Sequence, residues 1–292
     1  MVSADRVEAT TSHLAAAVWF PTAAGPPDKV ARWGAETYDV LAAEAAGGRA
    51  GVVMRESLAL YRADPGEPEW VAAVGEVRAA QPEELPPGYG YGLRFAVPLV
   101  EMPIYLPDLL RRVTAAGVGH LGRRVESLKD LLPLHPDVVV NAAGVAAGAL
   151  VGDDTTFPIR GQIVRVVNPG LDVSVRDEHH PGGRAYVHPR THDCILGGTL
   201  DVGEWDTDPD PTVTAGILAR CTDIVPALAG ATVLDSVAGL RPGRPEVRLE
   251  VDEDLLPVPV VHNYGHGGSG VTISWGCAAE VTALVGTLAD RC

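Results

Sequence analysis

A chain of 292 residues, 46% hydrophobic and 21% charged, has the size and composition of a folded protein with two ordinary domains or one interleaved pair. Its formal charge of −15 excludes recognition of nucleic acid by bulk charge, because neutralising phosphates needs a surplus of Lys and Arg. No apolar run reaches the roughly 18 residues that span a bilayer, and no charged-then-apolar leader opens the chain. Cys194, Cys221, Cys277 and Cys292 lack C-x-x-C spacing and read as buried or incidental thiols. A cytoplasmic location is therefore predicted, and the near-exclusive use of Arg over Lys (Lys29 and Lys129 only) points to a bacterial source.

In chain order, Val2 to Arg6 reads as the end of a strand and Ala9 to Pro21 as a loop of small residues. Ala31 to Ala46 has helical periodicity and strong helix formers. Gly51 to Ala63 predicts one or two strands, Pro82 to Gly92 a turn-rich stretch, and Leu106 to Gly119 a helix stopped by glycine. Val138 to Val140 are a continuous apolar run that suits a parallel strand buried on both faces. The run ends in Asn-Ala-Ala-Gly, where small residues would let a ligand lie at the strand's carboxyl end, although a plain small-residue turn fits as well. Arg160 to Gly170, Arg184 to Arg190 and His192 to Trp205 read as strands of an antiparallel sheet, and Pro209 to Leu228 holds a helix beginning near Thr212 or Thr214. The pattern predicts two domains threaded through each other.

Three stretches carry chemistry. In His262 to Gly276, glycines permit positive φ and close approach to a flat ligand. Val271, Trp275, Ala278 and Val281 then recur at helical spacing, which sets Gly270 to Thr272 at a helix N-terminus that favours negative charge. A surface turn before the last helix is the alternative. In Leu240 to Glu250, Pro242 and Pro245 stiffen the backbone around Arg241 and Arg244, and a rigid guanidinium can grip a carboxylate with two hydrogen bonds; an exposed Arg/Pro loop is the alternative. In Ala185 to Cys194, Tyr186 is a phenol able to bond a carboxylate. His188, His192 and Cys194 share parity on an unbroken strand, as metal ligands would, but Pro189 and a turn at Arg190–Thr191 argue against a metal.

Together, VVHNYGHGGSGVTISWGCAAE, GLRPGRPEVRLE, VVVNAAGVAAGAL with PIRGQIVRV, and YVHPR…ILGGT resemble the FAD-dependent D-amino-acid oxidase family, which includes D-aspartate oxidases, from about Val2 to the C-terminus. The resemblance implies an α/β fold: a Rossmann-like FAD-binding domain (1–21, 99–172, 246–292) interleaved with a mostly antiparallel substrate domain (22–98, 173–245). It implies oxidation of D-amino acids with molecular oxygen as co-substrate, giving 2-oxo acid, ammonia and hydrogen peroxide, with no side-chain general acid or base and no metal. Arg241 and Tyr186 match residues on the substrate carboxylate, and Gly268 matches the glycine whose carbonyl accepts from the substrate amine. Gly267, Gly268, Ser269, Gly270, Val271 and Thr272 match a segment along the flavin, and Val145 and Ile163 match further FAD contacts. Thr10, Thr11 and Ser12, with Ala16, Ala17 and Val18, match the loop at the phosphates and isoalloxazine; Asp5 and Arg6 match residues near the adenosine ribose. A homodimer is common in such proteins and is left open.

The sequence departs from the family twice. Gly182 stands where many relatives place a second active-site tyrosine, so the cover over the substrate is expected to differ. The family's opening strand, G-x-G-x-x-G turn and helix have no counterpart. The expectation is a gene start placed too late and weakened FAD binding by the chain as written; a non-catalytic remnant is the alternative. Preference for D-aspartate would need a further cation, for which Arg176, Arg184 and Arg190 are the candidates, and a sarcosine- or glycine-type amine oxidase is a further alternative.

Overall fold

The computed structural model describes residues 1–292 except 21–23, 67 and 291–292. Pro21, at the end of the small-residue loop, and Cys292 lie outside the described residues. In chain order the elements are β1 (Val2–Ser3), α1 (Thr11–Leu14), α2 (Pro27–Ala46), β2 (Val52–Tyr61), β3 (Val77–Ala79), β4 (Tyr91–Val100), α3 (Met102–Ala115), β5 (Leu121–Gly122) and β6 (Val139–Asn141). There follow β7 (Phe157–Val167), β8 (Ser174–Asp177), β9 (Ala185–Pro189), β10 (Asp193–Gly197), β11 (Asp201–Val202), α4 (Pro211–Ile224), β12 (Val233–Gly243), β13 (Arg248–Asp252), β14 (Val260–Tyr264) and α5 (Ser274–Ala289).

Two helices begin four residues before their predicted starts. A proline in the first turn opens α2 and α3 alike, where its missing N–H costs nothing. Helix α4 starts at Pro211 because the Asp210 carboxylate accepts from the Thr212 and Val213 amides.

Nine strands form one open sheet. Its order is β11-β7-β10-β9-β8-β2-β4-β3, with β12 pairing along β7, and every pairing is antiparallel except that of β2 with β8. Strand alternation gives this sheet two faces. Leu58, Leu60, Val164, Val166, Val175, Val187, Cys194 and Leu196 pack on one face against Ile217, Cys221 and Ile224 of α4. The opposite face takes Ile163 of β7, Tyr186 and His188 of β9, and Arg176 of β8. At the β2–β4 end it is covered by a cluster around Trp19, Phe95 and Val97.

Two small sheets complete the α/β fold: β1 pairs with β5 in parallel, and β14 lies between β6 (parallel) and β13 (antiparallel). The expected burial of β6 on both faces does not hold. Val139 and Asn141 are buried, but Val140 is 44% exposed. Strand β6 is a sheet edge, and among the described residues nothing covers the face to which Val140 points. Helix α5 packs along α2, at a point close enough that Gly276 leaves no room for a Cβ against the Trp33 backbone. No described helix is long and apolar enough to cross a membrane.

Candidate active site

The site face is built on glycine. Strand register puts Gly239 opposite Gly161 and Arg241 opposite Ile159. With no side chain at 161, the Arg241 guanidinium lies flat on the β7 backbone: an added Cβ there would overlap Cζ, Nη1 and Nη2. Nη1 donates to the Thr199 carbonyl at 3.1 Å, which anchors one arm of the fork. Tyr186 makes the same use of β10. Its partner across the ladder is Gly197; the phenol covers that residue, and a Cβ on Gly198 would stand 2.7 Å from the hydroxyl. Burial raises the phenol's pKa while the Arg241 charge draws it back, so Tyr186 stays protonated and able to donate. Sequence reasoning missed Gly161, Gly197 and Gly198. They sit in the quoted RGQIVRV and ILGGT motifs, and the signal was a glycine inside a strand, which marks close approach of another group.

The two arginines of RPGRP separate. Arg241 belongs to the end of β12, whereas Arg244 is spent elsewhere. Its Nε donates to Asp153 at 3.0 Å, and its stem packs on Gly265, where an added Cβ would come 2.8 Å from the arginine's own. Tyr264 also donates to Asp153 (2.8 Å) and accepts from Arg248 (2.9 Å). These bonds, with those from Thr155, hold the Asp153 carboxyl well below the usual range against the opposing effect of burial. The clamp fixes the backbone that leads into Gly267 and Gly268.

The predicted flavin segments converge on β12. Helix α1, the turn Gly144–Ala146 that carries Val145, and the turn Gly267–Ser269 all contact that strand. Thr272 ties two of the segments together, its hydroxyl donating to the Phe20 carbonyl at 3.1 Å and accepting from the Phe20 amide at 3.3 Å. Just before Phe20, Ala17 is held at φ 51, a left-handed conformation unusual for alanine and frequent in ligand clamps. Its carbonyl accepts from Val100 and the Trp19 amide donates to Pro98, so β4 enforces this shape. Gly144 has φ 61, with open space where a side chain would stand. Bare backbone from three segments around one strand fits a flat ring system with a charged edge. Thr11 and Ser12 are exposed beside it, while the Thr10 hydroxyl is committed to the Val7 carbonyl and the His13 amide. Asp5 and Arg6 are exposed beyond β1.

The helix N-terminus differs from expectation. Helix α5 begins at Ser274, and its Trp275 and Gly276 amides are already bonded to the Thr37 hydroxyl of α2 at 3.1 and 3.0 Å. The amides of Gly270 to Thr272 precede the first bond of that ladder, from Ile273 to Ser269. The strand of His188 and Cys194 is interrupted after Pro189. The chain bends at Thr191–His192, pairing Cys194 with Pro189 and Ile195 with His188. Cys194 therefore enters the core under α4 while His188 stays on the site face, and the described residues hold no group of three or more His, Cys, Asp or Glu able to bind a metal.

Of the three cations considered for an acidic side chain, two are paired. Arg190 binds Asp193 through two bonds of 2.6 Å, and Arg184 pairs with Glu178 at 3.2 Å. Arg176 is different. It stands opposite Tyr186 on β8, is 6% exposed, lies 3.8 Å from the Phe20 ring centre, and its Nε has no partner among the described residues. Burial lowers its pKa to about 10, which leaves it charged at neutral pH.

Comparison with known proteins gives a consistent picture. The model of the family DAO, described as FAD dependent oxidoreductase, matches residues 1–284. The D-amino-acid oxidase of Rubrobacter xylanophilus is 52% identical over 287 residues, covering 98% of this chain and 88% of its own. The D-aspartate oxidase of Homo sapiens is 37% identical over 290 residues, covering 94% of this chain and 83% of its own. Among solved structures, glycine oxidase from Geobacillus kaustophilus superposes with a TM-score of 0.78 at 18% identity, covering 98% of this chain and 87% of that one, a likeness of fold.

Proposed function

The chain belongs to the DAO family of FAD-dependent oxidoreductases, and on that premise we propose that it deaminates D-amino acids oxidatively, yielding 2-oxo acids, ammonia and hydrogen peroxide. The observation that carries this reading is the pairing of Arg241 and Tyr186 on beds of glycine backbone, on the sheet face where the flavin segments meet. Likeness to the Rubrobacter D-amino-acid oxidase supports it.

The proposed roles follow from the chemistry of each group. Arg241, with Nη1 held by Thr199, presents its remaining N–H groups to the substrate carboxylate, and Tyr186 donates a further hydrogen bond. The Gly268 carbonyl accepts from the amine. Three fixed points orient a tetrahedral α-carbon, so one enantiomer presents its α-hydrogen to the ring and the other presents its side chain. FAD, when bound, would supply a two-electron acceptor for the α-carbon hydride, with dioxygen as the final oxidant. We assign Asp5, Arg6, Thr10 to Ser12, Ala16 to Val18, Val145, Ile163 and Gly267 to Thr272 to its binding. Water hydrolyses the imino acid product. No side-chain base is required, and the two histidines nearby are weak ones: burial and the Arg176 charge lower the pKa of His188, and burial pushes His266 down to about 4.

The same reading assigns 1–21, 99–172 and 246–292 to FAD and 22–98 and 173–245 to substrate; β1, β5, β6, β7, β13 and β14 fall in the first set, and β7 carries it into the nine-stranded sheet. The arginine bias supports a bacterial source, and the three described cysteines, all free and buried, suit a reducing cytoplasm. Homodimerisation is tested by solution mass.

A second reading, preference for an acidic side chain, is favoured by Arg176, the one of the three candidate cations without a carboxylate partner at hydrogen-bond distance among the described residues. The test of both is peroxide release by the FAD-loaded protein on D-alanine, L-alanine and D-aspartate. Turnover of the D-amino acids and not of L-alanine supports the first, and a D-aspartate kcat/KM above that of D-alanine supports the second.

A further inference from the structure

Tyr186 and His188 are two residues apart on β9, so their side chains leave the same face of the sheet. The bed under the phenol, Gly197 and Gly198, has no side chains. That absence lets the ring lie on the backbone, but it also removes anything on β10 that would stop the ring from swinging between rotamers. A restraint has to come from a neighbouring residue. His188 is placed to supply it: its imidazole stacks on the phenol with ring centres 4.8 Å apart and planes 14° from parallel. The imidazole is itself buried, 4% exposed, with Ile195 opposite it on β10.

We propose that His188 is the positioning residue for Tyr186, its ring fixing the phenol plane so that the hydroxyl stays over Gly197 and Gly198 for the substrate carboxylate. The proposal rests on the reading of Tyr186 given above. The contribution is one of shape. Burial and the Arg176 charge keep the imidazole neutral, so it adds no cation to the carboxylate site, and its Nδ1 has no partner among the described residues. A planar side chain without the nitrogens should therefore serve almost as well.

The test is a double-mutant cycle on the FAD-loaded protein. It is read as KM and kcat on D-alanine and as the dissociation constant of propanoate, the D-alanine skeleton without its amine, followed by flavin absorbance. The expected result for H188A is a rise of about three- to tenfold in KM and in the propanoate constant with kcat within about twofold, since ground-state positioning of the carboxylate is what is lost. H188F should restore both constants to within about twofold. In a Y186F background, H188A should have no further effect. Equal effects of H188A with and without the Tyr186 hydroxyl would overturn the proposal, as would H188F as damaging as H188A, or no effect of H188A while Y186F weakens binding. If Y186F leaves propanoate binding unchanged, the reading of Tyr186 itself fails and the proposal fails with it.

Discussion

The Arg241 guanidinium rests on the backbone of Gly161, in the space a side chain would otherwise fill. The two residues come from antiparallel neighbours, β12 and β7, whose register places Arg241 two pairs beyond the Gly239–Gly161 position, so the long side chain folds back across the ladder. A cation held flat against a strand, with one arm bonded to Thr199, is preorganised for a planar anion.

G161A should therefore displace Arg241 without touching the residues assigned to the flavin. The expected outcome is a KM for D-alanine raised by about 10- to 100-fold, with FAD content unchanged. Steady-state kinetics together with the flavin-to-protein absorbance ratio check both halves. Retention of wild-type KM would mean that the guanidinium acts from elsewhere.

R241K keeps the charge and loses the fork. Because a lysine ammonium is a point charge that cannot make two parallel bonds, kcat/KM on D-alanine should fall by about 100-fold or more. R244K should cost activity only through the loop clamp, with a smaller fall and a lower melting temperature, because Arg244 bonds Asp153 and not the site.

Arg176 should set side-chain preference. R176M removes the charge while filling a similar volume, and the ratio of kcat/KM for D-aspartate over D-alanine should drop by about tenfold or more. Kinetics on the two substrates decide this, and an unchanged ratio would leave Arg176 a structural cation stacked on Phe20.

Acid stability should reflect His266. Burial lowers its folded pKa to about 4 from the ordinary value near 6.5, while Nε2 bonds the Asn263 side-chain oxygen at 2.9 Å. The unfolded chain then binds this proton more readily than the folded one. The stability is complete above about 6.5 and is lost as pH falls from there toward 4. Melting temperature should decline across that window, and H266Q, which keeps a polar partner for Asn263 but cannot titrate, should flatten the decline.

Much of the fold was legible because strong local signals agreed. Glycine-rich turns, the strand-like stretch of β7 and the arginine-proline motif all report on backbone shape. Two kinds of information were not legible. Strand register decides which of Arg241 and Arg244 faces the site, and no local pattern encodes it: both flank the same prolines, yet one lies on Gly161 and the other binds Asp153. Contacts between distant segments were equally hidden. Thr37 lies 238 residues from Trp275, and its hydroxyl takes that residue's amide at the start of α5. The break after Pro189 was legible in the sequence, but not where it would send each side chain: a two-residue bend turns His188 toward Tyr186 and Cys194 into the core.

The central claim is that Arg241 and Tyr186 orient a D-amino acid for oxidation. The most direct measurement is stereospecific peroxide release by the FAD-loaded protein, with D- and L-alanine compared in parallel for wild type and R241K. The account predicts one equivalent of pyruvate and of peroxide per D-alanine, no turnover of L-alanine, and loss of most of the D-alanine activity in R241K. Oxidation of both enantiomers at comparable rates, or full activity in R241K, would contradict it.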